Sequence, residues 1–196
     1  MVNAIGMRLN NRLTHHTTKG IDTMKITQKK FDEMKAKALG AGICHHWRPH
    51  LEGSNNVDEL VEVSERSGAY MLYQYALNVL RGRFKEGEAT ISTDALSSYL
   101  YARFVIKGRF LEGEEAIAKN YEYSYMYARY VIKGRFEEGE EAIAKDFFYS
   151  YLYAYRVLKG RFEEGEEAIA TSFSYNRYYN DFLSTLSTNR DNHAIA

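Results

Sequence analysis

A short repeat in the sequence limits the possible folds of this chain more than any other feature does. The tripeptide Gly-Arg-Phe begins at four positions spaced 26 residues apart, which are Gly82, Gly108, Gly134 and Gly160. In that register the copies read YQYALNVLRGRFKEGEATI, YLYARFVIKGRFLEGEEAI, YMYARYVIKGRFEEGEEAI and YLYAYRVLKGRFEEGEEAI. A repeat of this length is one supersecondary unit, which buries its apolar face only by stacking on its neighbours. The pattern therefore predicts a stack of similar units.

Each unit has the signals of one long and one short helix. Asp146 is a favourable N-cap for a helix over residues 147–159, and Gly160 is placed for the left-handed C′ conformation that ends it. Phe162 then fills the corner, and a short helix over residues 163–170 follows, with glutamates in its first turns, where negative charge is stabilising. The apolar residues expected to share one face of the long helix are Phe147, Tyr151, Ala154 and Leu158, and the stripe is widened by Tyr153 and Val157.

The two ends of the chain depart from the repeat. Thr27 can cap a helix over residues 28–39, and Asn56 with Glu59 forms a capping-box pattern. The sequence predicts an all-α fold, specifically an α-solenoid of 26-residue helical-hairpin repeats with an N-terminal helical cap. The expected divisions are a flexible basic tail (1–23), an N-terminal helical cap module (24–67), four repeats (68–171), and a degenerate capping repeat with a tail (172–196).

Charge and composition narrow the classes of function. The chain has 26 basic and 26 acidic residues in 196, so its formal net charge is zero. This balance argues against a dedicated nucleic-acid binder, which needs a basic excess to displace counterions from phosphates. It also argues against a DNA mimic, because residues 31–169 mix 18 basic with 23 acidic side chains. The basic excess is confined to residues 1–30, with six basic residues against one acidic.

The numbers of cysteine, proline and consecutive apolar residues indicate where in the cell the protein is located and how it folds. The single cysteine, Cys44, excludes an internal disulfide and suits a reducing compartment. The chain has no apolar run of about 20 residues that would span a membrane, and its first residues lack the pattern of a secretory signal. The only proline is Pro49, which leaves the rest of the chain free to form continuous helices. We therefore expect a soluble, cytoplasmic protein that does not bind membranes.

The unit resembles a tandem helical repeat found in proteins of bacteriophages and related mobile elements. The resemblance is in the pattern Y-x-Y-A-R-x-V-I-K-G-R-F-x-E-G-E-x-x-I-A-K and covers about residues 68–184. Residues 36–61, with Cys44 and Trp47, are similar to a module that precedes such repeats. The Asp-Pro often found at the unit boundary is missing here, where Asp146 is followed by Phe147. The resemblance implies a helical fold, and a host cytoplasm if the chain is phage-encoded, but no particular activity.

Residues 44–50 form the one dense group of potential metal ligands, which are Cys44, His45, His46 and His50. Three of them are consecutive and cannot easily converge on one tetrahedral ion, and no second ligand pair has zinc-finger spacing. We favour Cys44 and Trp47 packing inward with the histidines in solvent. The prediction is therefore no metal site and no cofactor, with a metal-dependent activity kept as the alternative.

Several columns are the same in every unit. Glutamates recur at 86, 112, 138 and 164 and at 88, 114, 140 and 166, beside arginines at 83, 109, 135 and 161. A catalytic carboxylate pair needs one asymmetric environment that separates the two pKa values, so we interpret this ladder as ion pairs between units. Tyrosines at 73, 99, 125 and 151 and at 75, 101, 127 and 153 are interpreted as core packing rather than as a platform for nucleobases. No catalytic residue is predicted, and the chain is not expected to be an enzyme.

Two columns vary between units, and these carry the predicted binding site. The first column is Leu77, Arg103, Arg129 and Tyr155, and the second is Asn78, Phe104, Tyr130 and Arg156. Positions without a packing role can diversify for a partner, and Arg, Tyr and Phe are enriched at interfaces. The alternative is that these positions are exposed and unconstrained.

The sequence therefore predicts a protein-interaction module. Together with the resemblance, it predicts binding to a host protein, which the module inhibits or holds as a scaffold. A component of a defence system is one candidate for that protein. The alternative is an accessory nucleic-acid binder that uses the basic N-terminal tail and the Arg/Tyr faces. The sequence does not set the oligomeric state.

Overall fold

The protein is described by a computed structural model over residues 27–42, 48–55 and 68–194, with side chains up to residue 187. Every regular element in these ranges is a helix, so the all-α prediction is confirmed for this part of the chain. The capping-box residues Asn56 and Glu59 lie outside the described residues, as do Cys44, Trp47 and residues 1–23.

Each repeat is a hairpin of a long and a short helix, with unit 1 at residues 68–93, unit 2 at 94–119, unit 3 at 120–145 and unit 4 at 146–171. The long helices begin as α-helices at Gly68–Tyr75, Ala95–Leu100, Tyr121–Tyr127 and Phe147–Tyr153. They continue as π-helical turns at Ala76–Leu80, Tyr101–Ile106, Ala128–Ile132 and Ala154–Leu158. The short helices are Lys85–Ile91, Leu111–Ala118, Glu137–Ile143 and, after a 3₁₀ turn at Glu163–Gly165, Glu166–Ala170.

The long helices begin as predicted. The Asp146 carboxylate accepts hydrogen bonds of 2.9 Å from the backbone N–H groups of Phe148 and Tyr149. Asp94 and Asn120 cap units 2 and 3 in the same way. These side chains satisfy amide groups that have no partner inside the helix.

The ends of the long helices differ from the prediction. The left-handed residue is Lys159, with φ 52°, and not Gly160. The N–H groups of both residues reach back to the Ala154 carbonyl, with Gly160 at 3.2 Å. The last turn is a π turn, in which the N–H of Lys159 bonds to the carbonyl five residues before it, and the left-handed residue is the one that closes this turn. The equivalent left-handed residues in the other units are Arg81, Lys107 and Lys133.

The buried face of the long helix also differs from the predicted stripe. Ala154 and Tyr153 are fully buried as expected, but Phe147 is 37% exposed, and the burial of Ser150 was not predicted. The stripe prediction assumed contact on one side only and α-helical rotation throughout. The helix instead packs on two sides, and its π turn rotates the later residues.

A small residue fixes this two-sided packing. The Ser98 hydroxyl of unit 2 donates a hydrogen bond of 3.0 Å to the Ile91 carbonyl of unit 1. On its other side, Ser98 lies so close to Gly113 that a Cβ on Gly113 would sit 2.7 Å from the Ser98 Cβ. The same hydrogen bond recurs at Ser124 and Ser150, so each long helix is held between two short helices.

The hairpins contact one another in chain order, as an α-solenoid requires. The N-terminal helix Gln28–Gly40, capped by Thr27 as predicted, packs with the short helix Arg48–Gly53 against unit 1. At the other end, the α-helix Phe173–Ala194 packs against unit 4. The apolar residues that pack between the N-terminal helices and unit 1 are Phe31, Ala38, Leu51, Met71 and Val79.

Candidate protein-binding site

The invariant residues form a network at each boundary between units. In the central copy, the Arg109 guanidinium donates two hydrogen bonds of 2.7 Å to the Glu114 carboxylate. The Tyr127 hydroxyl, from unit 3, donates to Glu114 at 2.7 Å and accepts from the Phe110 N–H at 2.8 Å. The network recurs as Arg83, Glu88 and Tyr101, as Arg135, Glu140 and Tyr153, and as Arg161, Glu166 and Tyr179.

This geometry corrects the expected ion-pair ladder. Each close arginine–glutamate pair lies within a single unit. Among the residues described, the one arginine–glutamate contact between two units is Arg83 with Glu112, at 3.9 Å. The tyrosine makes the short polar contact between units. The packing interpretation of the tyrosines is confirmed in this part of the chain, since Tyr101, Tyr127 and Tyr153 are fully buried.

The network also sets the protonation states. Burial raises the pKa of Glu114, but hydrogen bonds from Arg109 and Tyr127 outweigh this effect and hold that pKa below its ordinary value. Burial and the Glu114 carboxylate raise the pKa of Tyr127 well above its ordinary value. At neutral pH the network therefore contains an ionised glutamate and a neutral tyrosine. An arrangement repeated at every boundary acts as structural support for the stack.

The first variable column lies within the π turns and contacts the following unit. Arg103 is half-buried, with its guanidinium carbon 4.3 Å from the centre of the Tyr130 ring. Arg129 donates a hydrogen bond of 3.1 Å to the Arg156 carbonyl. Tyr155 packs edge-on against Phe182, with 5.1 Å between ring centres, and Leu77 packs on the core. These residues thus have packing contacts that the sequence reasoning did not assign to them, although Tyr155 also keeps 45% of its surface exposed.

The second variable column is exposed in all four units. Asn78 and Arg156 are exposed, and Phe104 and Tyr130 keep 43% and 45% of their surface accessible. Of these four side chains, Asn78 is the one with a hydrogen bond that the structure describes, which it donates to the Gln74 side chain at 2.6 Å. The second column, together with Tyr155 of the first, is therefore the part of the predicted site that is available to a partner.

A cleft of about 470 Å³ lies beside these columns, between units 3 and 4. Arg129 and Tyr130 line it from unit 3 and Arg156 from unit 4, so it joins residues from both columns. Lys133 and Lys159, the left-handed residues, complete its charged lining. Sequence reasoning missed these lysines as site residues, although a basic residue before every Gly-Arg-Phe was a visible signal.

A second cleft of about 540 Å³ lies between the short helices of units 2 and 3. Its lining is mainly acidic, with Glu114, Glu115, Glu138 and Glu141 beside Lys119 and Lys145. The pairs Lys119–Glu115 and Lys145–Glu141 span 2.7 and 2.8 Å. Basic and acidic clefts are thus formed by different helices of the hairpins.

One row of exposed rings was missed by the sequence reasoning. Tyr121, Phe147 and Phe173 occupy the first position of successive long helices and are 42%, 37% and 87% exposed. Tyr121 and Phe147 contact Tyr149 and Tyr175 of the following units. The signal was the aromatic residue that begins the long helix of units 3 and 4 and the C-terminal helix, and this row is a rival surface for a partner.

No protein-family model, curated protein or solved structure matches the chain. The described residues contain no group of three or more His, Cys, Asp or Glu side chains placed so that they could hold one metal ion, and residues 43–47, with Cys44, His45 and His46, lie outside the described ranges. Within the same ranges, no helix is both long and apolar enough to cross a membrane.

Proposed function

We propose that the chain is a protein-interaction module that binds its partner through the second variable column and the adjoining cleft. The observation that carries the proposal is the row formed by Phe104, Tyr130 and Arg156, which are exposed at one position in successive units. Large aromatic and arginine side chains supply most of the binding energy at protein interfaces. The stack holds them at a fixed spacing, so little conformational freedom is lost on binding.

The row also lies in the π turns, which often occur at functional sites. The proposal extends to a host protein that is inhibited or held as a scaffold, on the basis of the resemblance of the repeat to phage and mobile-element proteins. The proposed location is the host cytoplasm, and no catalytic role is proposed.

The test is affinity purification from a bacterial lysate with three versions of the chain. The site variant replaces Arg103, Phe104, Arg129 and Tyr130 with alanine. The matched variant replaces Tyr121 and Phe147, in the rival row, with alanine. Circular dichroism verifies that both variants keep the helical signal.

We expect a stoichiometric partner that the wild type and the matched variant retain and the site variant loses. Loss in the matched variant alone would assign binding to the rival row. A partner held equally by all three versions, or no stoichiometric partner, would contradict the proposal.

A further inference from the structure

The chemistry of the partner follows from an imbalance of charge along the long helices. The segments 101–110, 127–136 and 153–162 each contain three basic residues and no acidic residue. In each segment one arginine is neutralised by the buried glutamate of its own unit, as Arg109 is by Glu114. The six basic residues that remain are Arg103, Lys107, Arg129, Lys133, Arg156 and Lys159.

None of these six forms an ion pair with an acidic side chain in the part of the chain that the structure describes. The other basic residues of units 2–4 all do so, including the exposed Lys119 and Lys145. Helix C-termini favour positive charge, which accounts for one cation at each end. It does not account for two cations beside a cleft without a carboxylate.

Four of the six line the cleft between units 3 and 4, which are Arg129, Lys133, Arg156 and Lys159, and no acidic residue lines it. Their proximity raises the local positive potential and favours an anionic ligand. Arginine is suited to this role because its planar donors match a carboxylate. The cleft therefore has the charge and donor types of a carboxylate site.

We propose that this cleft binds acidic side chains of an extended protein segment, an inference that rests on the proposed function and names its partner's chemistry. Adjacent packed helices lie about 8–10 Å apart. A partner segment in the extended polyproline II conformation advances about 3.1 Å per residue with about three residues per turn, so every third side chain lies on the same face. Acidic residues at every third position of the partner would therefore meet successive units.

The aromatic residues favour a protein over a nucleic acid. Stacking of a nucleobase needs an open ring face, but Arg103 lies over the Tyr130 ring at 4.3 Å. Tyr155 is stacked on Tyr151, with ring centres 5.8 Å apart and an angle of 4° between the rings. One face of each ring is thus already covered within the chain, which leaves less ring surface for a nucleobase to stack on. The zero net charge of the chain also disfavours a polyphosphate backbone.

The test is fluorescence anisotropy of the full chain with three labelled probes. The first probe is a peptide of about 12 residues with glutamate at every third position, a length that spans about 40 Å when extended. The second has glutamine at those positions, and the third is an oligothymidine of similar charge. The site variant is Lys133→Glu with Lys159→Glu, and the matched variant is Lys119→Glu with Lys145→Glu, which makes the same change in net charge at the acidic cleft.

We expect the acidic peptide to bind the wild type and the matched variant with affinities within about twofold, because distant charges are screened. The site variant should bind it about tenfold or more weakly, and the glutamine peptide should not bind. Equal weakening in both variants, or no binding of the acidic peptide, would overturn the inference.

Two further outcomes would also overturn it in favour of other occupants. Tighter binding of oligothymidine, lost in the site variant, would assign the cleft to nucleic acid. A dimer in analytical ultracentrifugation that only the site variant abolishes would assign it to a second copy. The proposed function is tested separately, by the variant in which Arg103, Phe104, Arg129 and Tyr130 are replaced with alanine. If that variant loses the partner but the acidic peptide does not bind the wild type, the chain remains a protein-interaction module. Only the inference of an acidic partner is then wrong.

Discussion

The Tyr127 hydroxyl donates a hydrogen bond of 2.7 Å to the carboxylate of Glu114, which belongs to the preceding unit. This contact joins two units by a bond between buried groups, and copies of it recur at the other boundaries. The energy that holds neighbouring units together therefore depends on a tyrosine hydroxyl as well as on apolar packing.

The first prediction concerns that hydroxyl. Tyr127→Phe leaves the Phe110 N–H without its acceptor and removes one donor from Glu114, so we expect the free energy of unfolding to fall by about 1–3 kcal/mol. Urea denaturation measures the change. Tyr130→Phe removes an exposed hydroxyl and should change stability by less than about 0.5 kcal/mol. Equal effects of the two substitutions would contradict the role assigned to the buried hydroxyl.

The second prediction compares two glycines of one unit. A Cβ on Gly113 would lie 2.6 Å from the Phe110 ring and 2.7 Å from Ser98, so Gly113→Ala should lower stability by about 1–3 kcal/mol. The nearest atom to a Cβ on Gly108 is 4.0 Å away, and its φ is not positive. Gly108→Ala should therefore be neutral or stabilising by up to about 1 kcal/mol. Melting temperatures decide the matter, and the reverse order would refute the packing described.

The third prediction tests the left-handed lysines. Lys107 has φ 59°, a conformation that costs a non-glycine residue about 1–2 kcal/mol. Lys107→Gly should leave stability unchanged or raise it by up to about 1 kcal/mol, because relief of strain exceeds the entropy cost of glycine. Lys107→Val should lower it by about 1–3 kcal/mol. As a control, Lys119 has φ −80°, so Lys119→Gly should be destabilising. A loss of similar size for both glycine variants in chemical denaturation would argue against the left-handed assignment.

The fourth prediction is loss of stability in acid. The pKa values of Glu88, Glu114 and Glu166 lie below their ordinary range in the folded protein, since arginine and tyrosine hydrogen bonds overcome the effect of burial. Their contribution is present above the unfolded pKa of about 4.3 and is lost as pH falls through the folded value. Urea midpoints should therefore decrease below about pH 4.5. Glu114→Gln should show a shallower decrease, and an unchanged slope would show that Glu114 does not contribute.

The fifth prediction is loss of stability in alkali. Burial, together with the Glu166 carboxylate, raises the pKa of Tyr179 to about 12, and it raises those of Tyr101, Tyr127 and Tyr153 further. A raised folded pKa gives stability that is complete below the unfolded value of about 10 and is lost above it. Tyrosinate absorbance of these groups should appear together with the loss of helical circular dichroism. Full ionisation with the helices intact would contradict their burial.

The candidate site was predicted only in part from the repeat positions that vary between copies. Variation between copies identified Phe104 and Tyr130, which are exposed as a binding surface requires. Variation did not distinguish these exposed residues from Arg103 and Arg129, which contact the next unit. A position that varies between copies tolerates different residue types, but the variation does not show which way its side chain points. Lys133 was missed for the opposite reason, since a residue repeated in every unit was interpreted as structural.

The period, the all-α class and the helix starts could be predicted from N-caps, glutamate-rich first turns and repeated apolar residues, because these are local signals. Asp146 caps its helix as its position indicated. Three features could not be predicted in this way: the long helices end in π turns, Lys159 rather than Gly160 takes the left-handed conformation, and Tyr127 reaches Glu114 in the preceding unit. These features depend on how closely one hairpin approaches the next, and that distance is set by packing across units rather than by neighbours along the chain.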